Sequence, residues 1–329
     1  PKWKWLAKIF AFFGIGVGLL GIGTFTQVNG ISSAVNNFFD SNNAWTVSLF
    51  GRTYSWTVVI SCLILTFCVA LVLIGGIQRI SKVAQVIVPF MAATYFLAGI
   101  LIILFNITDV PAAILTIVQS AFGLKAAAGG ALGAMVVAMQ KGIARGIFSN
   151  EAGLGSAPIA AAAARTNEPV RQGLVSMTAT FIDTIIICSI TGIAIVLTGA
   201  YDMGLEGVAV TTKAFQLGLP FPDGVASFIL MLCLVFFAFT TILGWDYYSE
   251  RCLEYLTNGK KKCIKAYRWI YILCVFIGPY MTVSAVWTIA DIFNGLMAIP
   301  NLIALVALNG VVAKETKDYL DRIKKKEIE

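Results

Sequence analysis

Long apolar runs alternate along the chain with short polar connections, and eight of the runs are long enough to predict membrane-crossing helices. They are Trp5 to Asn36, Trp56 to Gly76, Val83 to Phe105, an interrupted element from Ala131 to Arg165, Val170 to Thr198, Gly224 to Leu256, Tyr267 to Val286 and Ile292 to Ala313. The runs are continuous and rich in Leu, Ile, Ala and Gly, without the alternation of a barrel, so no strands are expected. The pattern predicts an all-α polytopic membrane protein with eight transmembrane segments. Two stretches outside the spans, Pro111 to Phe122 and Glu206 to Leu217, are amphipathic. Each is expected to lie on the outer membrane surface in preference to capping a cavity.

The interrupted element is the anomaly. From Lys141 to Pro158 it carries Gly142, Gly146, Gly153 and Gly155, together with Lys141, Arg145, Asn150, Glu151 and Ser156. Glycine and proline lower helix propensity, so the helix should break here. Irregular polar backbone at membrane depth survives only where it lines a cavity or is buried in protein, and the break therefore points to a site for a small solute or ion. A plain cytoplasmic loop is the alternative reading. Ala131 to Phe148 spans roughly 27 Å of helix, which sets a break at Ser149 near one membrane face. A break at Gly129-Gly130 is the other possibility.

Polar residues inside the other spans narrow the search. Gln27 and Asn29 follow a glycine-rich run in which Gly14 and Gly18 form a small-xxx-small pair, predicting close approach of a second helix. Gln27 then either faces a solute or bonds a neighbouring helix. Thr240 and Thr241 stand together in an apolar run; such hydroxyls either back-bond one turn earlier or, with freed carbonyls, offer hard oxygen ligands to an alkali cation. Asp183 needs a cationic or hydrogen-bonding partner at its depth, with Arg145 and Lys141 as candidates. Trp287, Asp291 and Asn294 share one face if their helix is continuous.

With 58% hydrophobic residues, 12% charged residues and no histidine, the chain is an integral membrane protein without His-dependent catalysis or His-ligated metal. Its seven cysteines include no C-x-x-C pair, and five lie in spans, so no disulfide is implied. The net charge of +7 is distributed rather than patched: nineteen of the 24 Lys and Arg fall in one of two alternating sets of connections. That asymmetry predicts that this set and both chain ends are cytoplasmic. Asn106-Ile-Thr108 matches a glycosylation sequon by pattern. Because the sequence opens on Pro1 and runs directly into a full-length span, it reads as the downstream part of a longer chain whose preceding residues should hold two more spans and a Gly-rich break. No nucleophile stands with a base, and no polar stripe runs through several spans, which argues against a membrane enzyme and against a channel.

The stretch Gly142-Ile-Ala-Arg-Gly-Ile-Phe-Ser-Asn-Glu-Ala-Gly-Leu-Gly-Ser-Ala-Pro158, followed by Ala-Ala-Ala-Ala-Arg-Thr-Asn-Glu-Pro-Val-Arg-Gln-Gly, closely resembles the signature region of the alanine or glycine:cation symporters. The resemblance implies a partial LeuT-like five-plus-five inverted-repeat bundle forming one transporter domain over residues 1–329. Core helices three to five would occupy 1–126, a broken helix six 127–169, helices seven to ten 170–313 and a cytoplasmic tail 314–329, with core helices one and two absent. It implies sodium-coupled uptake of a small neutral amino acid, alanine or glycine, across the plasma membrane, with Na⁺ as coupling ion and no other cofactor. A cation channel or a non-transporting membrane subunit is the alternative. The implied substrate site comprises Gln27, Phe148, Ser149, Asn150, Gly153, Gly155, Trp287 and Asn294, with Thr240 and Thr241 holding sodium.

Overall fold

The computed structural model of the chain describes residues 3–49, 51–122 and 131–325; Pro1, Lys2, Lys125, Lys326 and the alternative break at Gly129-Gly130 lie outside them. Among the described residues, six helices are long and apolar enough to cross a membrane: Lys4–Phe39, Trp56–Ile74, Gly76–Phe105, Pro169–Leu197, Asp223–Thr257 and Val283–Lys324. The other two expected segments are also helical but fall outside that set. One is the long arm of the interrupted element, which carries Gln140, Lys141 and Arg145; the other has only 17 residues.

The first span is two helices, α1 (Lys4–Leu20) and α2 (Phe25–Phe39), because the backbone leaves helical geometry at Gly21 to Thr24. Its carbonyl groups find partners nearby: the Thr24 hydroxyl bonds Leu19 O and the Gln27 amide donates to Ile22 O at 3.0 Å. The Tyr271 hydroxyl lies 3.1 Å from Gly23 O and 2.7 Å from Ile242 O. Sequence analysis read this glycine run as a packing surface, and it is that as well. A β-carbon at Gly14 would stand 2.8 Å from Cys252 Sγ, and one at Gly23 would stand 2.6 Å from Trp245 Cβ.

Cys252 and Trp245 belong to α11 (Asp223–Thr257), the 35-residue helix against which α1 and α2 pack. Between α2 and α11 come a short hairpin of β1 (Thr46–Leu49) and β2 (Arg52–Ser55), then α3 (Trp56–Ile74), α4 (Gly76–Phe105) and α5 (Val110–Ala121). The hairpin corrects the expectation of no strands; four residues per strand leave too short an alternation to read. Asp40 anchors it, accepting from Ala44 N at 2.8 Å and Ser55 Oγ at 2.7 Å.

The interrupted element forms α6 (Ala131–Asn150) and α7 (Ala157–Ala161). The next span runs as α8 (Pro169–Thr180), a π-helical stretch Phe181–Cys188 and α9 (Ser189–Leu197). A 3₁₀ turn and α10 (Val208–Gly218) lead into α11. α12 (Lys261–Ile277) stops at Gly278-Pro279, and α13 (Val283–Lys324) starts under a Thr282 cap. The boundary between the last two expected spans therefore moves: Trp287, Asp291 and Asn294 all lie in one continuous helix. With 42 residues, α13 is about 63 Å long, roughly twice the thickness of a bilayer core. Its far end is tied down by a two-pronged bond from Arg322 to Glu168, both contacts at 2.8 Å.

A cavity beside a broken helix

Local chemistry accounts for the break after Asn150. The Asn150 side chain accepts the Ala152 N–H at 2.8 Å, an Asx turn that competes with the next helical bond. Glu151 then takes the left-handed conformation at φ 56°, followed by Gly153 at 78° and Gly155 at 88°. Pro158 sits in the first turn of α7, where its missing N–H costs nothing. The Glu151 carboxylate spans the gap and accepts the Ser156 hydroxyl.

This segment is no surface loop. Leu154 is 1% exposed and Ser156 0%, and Leu154 shares a core with Val17, Ile22, Trp245, Ala290 and Met297. Asn301 of α13 donates to Gly153 O at 2.9 Å. A carbonyl freed by the break is thereby satisfied inside the protein.

On the far side of the α6 terminus lies a cavity of about 550 Å³. Its walls come from α2 (Gln27, Asn29, Ser33), Phe148 at the end of α6, Phe237 of α11 and Trp287 of α13. The Phe148 and Trp287 rings stand 4.8 Å apart between centroids and form one aromatic corner. Arg145 is laid over both rings, 4.3 Å from the Trp287 centroid and 5.5 Å from that of Phe148. One guanidinium nitrogen contacts both Asp291 oxygens at 2.8 and 2.7 Å. Arg145 is thus the partner of Asp291, whereas Asp183 accepts the Ser149 hydroxyl at 2.6 Å.

Residues 206–211 add to the wall of the cavity, contributing Glu206, Val208 and Thr211. The expectation that Glu206 to Leu217 lies on the membrane is corrected here. Phe215 is 1% exposed and Ala214 0%, packed into the core around Tyr95 and Leu230, and Gln216 donates to Ser227 Oγ at 2.8 Å. An apolar face looks the same in sequence whether it meets lipid or protein. The other amphipathic segment, α5, buries only Ala113.

Of the expected substrate residues, Gln27, Phe148 and Trp287 line this cavity together. Gln27 lines the cavity, and its amide bonds Ile22 O at the break of its own span, not the neighbouring helix that was the alternative to facing a solute. Ser149 and Asn150 instead face the π-helical stretch, bonding Asp183 and, at 3.2 Å, Thr184. Gly153 and Gly155 lie in the buried break, and Asn294 is buried between helices with its oxygen unpartnered. Thr240 and Thr241 sit one turn beyond the cavity wall on α11, where Thr241 donates to Phe237 O at 2.9 Å and Thr240 lies 3.0 Å from Phe236 O and Phe237 O. Such back-bonding uses the hydroxyl hydrogen and leaves oxygen lone pairs for a cation. Sequence reasoning did not pair Arg145 with Asp291 behind the aromatic corner, and it ranked the capping of a cavity by the Glu206 segment second. Asp291 stands one turn from Trp287, and that i, i+4 relation was the available signal.

Residues 2–329 match the model of the family described as the sodium:alanine symporter family. A Haemophilus influenzae protein named as an uncharacterized transporter is 51% identical over 323 residues, spanning 98% of this chain and 67% of its own. The sodium/alanine symporter AgcS of Methanococcus maripaludis is 43% identical over 328 residues, with coverage of 98% and 67%. The probable sodium/glutamine symporter GlnT of Bacillus subtilis is 40% identical over 283 residues, with coverage of 85% and 58%. The chain spans about two thirds of the length of the first two and less of the third.

Proposed function

The chain belongs to the sodium:alanine symporter family, and from that membership we propose that it serves secondary active symport of a small neutral amino acid with Na⁺. The observation that carries this reading is the cavity lined by Gln27, Phe148 and Trp287, in which Phe148 stands on the last turn of α6 before the buried break. Broken helices next to a cavity are what a transporter uses to present backbone groups to a zwitterion. Alanine and glycine are the proposed substrates, with the Phe148 and Trp287 rings as the apolar wall and Gln27 as a polar contact. Thr240 and Thr241 are proposed to give sodium two of its oxygens.

No covalent chemistry is involved. One Na⁺ moving down a 100 mV potential releases about 2.3 kcal/mol, enough for several-tens-fold accumulation of a neutral solute. The proposed location is the plasma membrane, with the lysine-rich connections and both described ends on the cytoplasmic side. On the family template, α1 and α2 correspond to core helix three, α6 and α7 to helix six, α11 to helix eight and α13 to helix ten.

The test is uptake of labelled alanine into proteoliposomes holding the natural protein. An inward Na⁺ gradient should drive accumulation that a K⁺ gradient does not, and unlabelled glycine should compete. Competition by glutamine stronger than by alanine or glycine would move the substrate to a larger amide, for which the cavity has room. Uptake indifferent to Na⁺ would remove the symport reading.

A further inference from the structure

A second cavity, of about 570 Å³, lies away from the broken helices, where the end of α3 meets the start of α12. Both ends sit on the face that carries most of the basic residues. Three cations line it: Lys261, Lys265 and Arg268. Its other wall is apolar, made of Leu73, Ile74, Ile264 and Trp269. Ile74 is 63% exposed and Trp269 58%, so the opening faces the lipid side of the bundle. Leu73, at 1% exposed, forms the fixed base.

The charge balance is uneven. Glu250 also lines the cavity, but Arg268 holds its two oxygens at 2.6 and 2.9 Å, and Arg251 contacts one of them at 2.9 Å. Among the described residues no carboxylate forms a salt bridge with Lys261 or Lys265. The first turn of α12 contains no acidic residue that would balance them. Two ammonium groups with no carboxylate partner among the described residues thus stand at one end of an apolar, sideways-open cleft where the basic end of α12 meets the end of α3.

We propose that this cleft is a binding site for an anionic phospholipid, with the phosphate between Lys261 and Lys265 and an acyl chain along Ile74, Ile264 and Trp269. Basic pockets between helices on the cytoplasmic side suit such headgroups, and an apolar wall of this extent has no use for a free phosphate. The site is separate from the proposed transport cavity and does not depend on it.

The test is native mass spectrometry of the natural protein in detergent, titrated with phosphatidylglycerol, phosphatidylcholine or inorganic phosphate. Each lysine near an anionic headgroup contributes roughly a fivefold effect, so Lys261→Gln with Lys265→Gln should weaken phosphatidylglycerol binding about 25-fold. Lys260→Gln with Lys262→Gln removes the same charge from residues outside the cleft and should cost under fivefold. Ile264→Trp fills the cleft at unchanged charge and should also abolish retention, while Lys261→Arg with Lys265→Arg should keep it. Equal loss in the two Gln pairs would reduce the effect to general surface charge and overturn the site. Phosphatidylcholine retained as well as phosphatidylglycerol, or inorganic phosphate bound as tightly as lipid, would overturn the assignment to an anionic lipid.

Discussion

Gly155 is where the broken helix is least able to accept a side chain, and Gly155→Ala isolates the reason. Its φ of 88° is a left-handed geometry that costs a non-glycine residue about 1–3 kcal/mol. The added β-carbon would also stand 2.7 Å from a Phe10 ring carbon and 2.8 Å from the Asn301 side chain, an overpacking worth about 1–3 kcal/mol more. The expected loss of stability is therefore about 2–6 kcal/mol, against about 1–3 kcal/mol for Gly259→Ala, which has φ 75° but nothing within 4 Å. Gly153→Ala should fall near the control, because its β-carbon meets only the tip of Leu302 at 3.3 Å. Asn301 is also the residue that holds Gly153 O, so pushing it away displaces the break, and alanine affinity in Na⁺ should drop at least tenfold, about 1.4 kcal/mol. Denaturant unfolding in detergent reads the first effect and titration calorimetry with alanine the second. If Gly155→Ala unfolds and binds like Gly259→Ala, the break is neither tightly packed nor coupled to substrate.

Thr241→Ala should raise the Na⁺ concentration for half-maximal uptake severalfold with little change in unfolding, since alanine is the best helix former and only a back-bond to Phe237 is lost; an unchanged Na⁺ dependence would make the hydroxyl structural only. Arg145→Gln should cost at most about 1 kcal/mol of stability, because Arg145 and Asp291 are 38% and 47% exposed, yet it should cut alanine uptake by loosening the aromatic corner beneath it; full uptake would detach Arg145 from the site. The Arg322 guanidinium holds the Glu168 carboxyl below its ordinary range, so this tie is whole above the ordinary glutamate value of about 4.3 and is lost as pH falls through the lowered value of the folded protein. Spin labels at positions 166 and 318 should show a narrow distance at neutral pH that broadens in acid, and Glu168→Gln should broaden it at every pH.

The buried break was the most legible feature, because Asn150, Gly153, Gly155 and Pro158 each oppose a continuing helix by local chemistry alone. Close approach of a second helix to α1 was legible for the same reason, in the spacing of Gly14 and Gly18, but not that this helix is α11. The break at Gly21 to Thr24 was not. Glycines there serve packing and unwinding alike, and what makes unwinding tolerable is the Tyr271 hydroxyl, some 248 positions away in sequence. Pairing was similarly hidden: Arg145 was a candidate partner for Asp183, and the fold instead brings it within 2.7 Å of Asp291. The π-helical stretch Phe181–Cys188 leaves no compositional trace, although it turns Asp183 toward Ser149. Long apolar runs and intrinsic breakers are local properties; partners across the bundle are not.

The most direct measurement is equilibrium binding of labelled alanine to the natural protein and to its Trp287→Ala variant, each in Na⁺ and in K⁺. Removing the indole takes away half of the aromatic corner without touching the backbone of the break or the Thr240-Thr241 pair. Saturable binding in Na⁺ but not K⁺, weakened at least tenfold in the variant, is the predicted result. Na⁺-dependent binding of unchanged affinity in Trp287→Ala would contradict it, because the substrate would then sit somewhere other than the cavity between Gln27, Phe148 and Trp287.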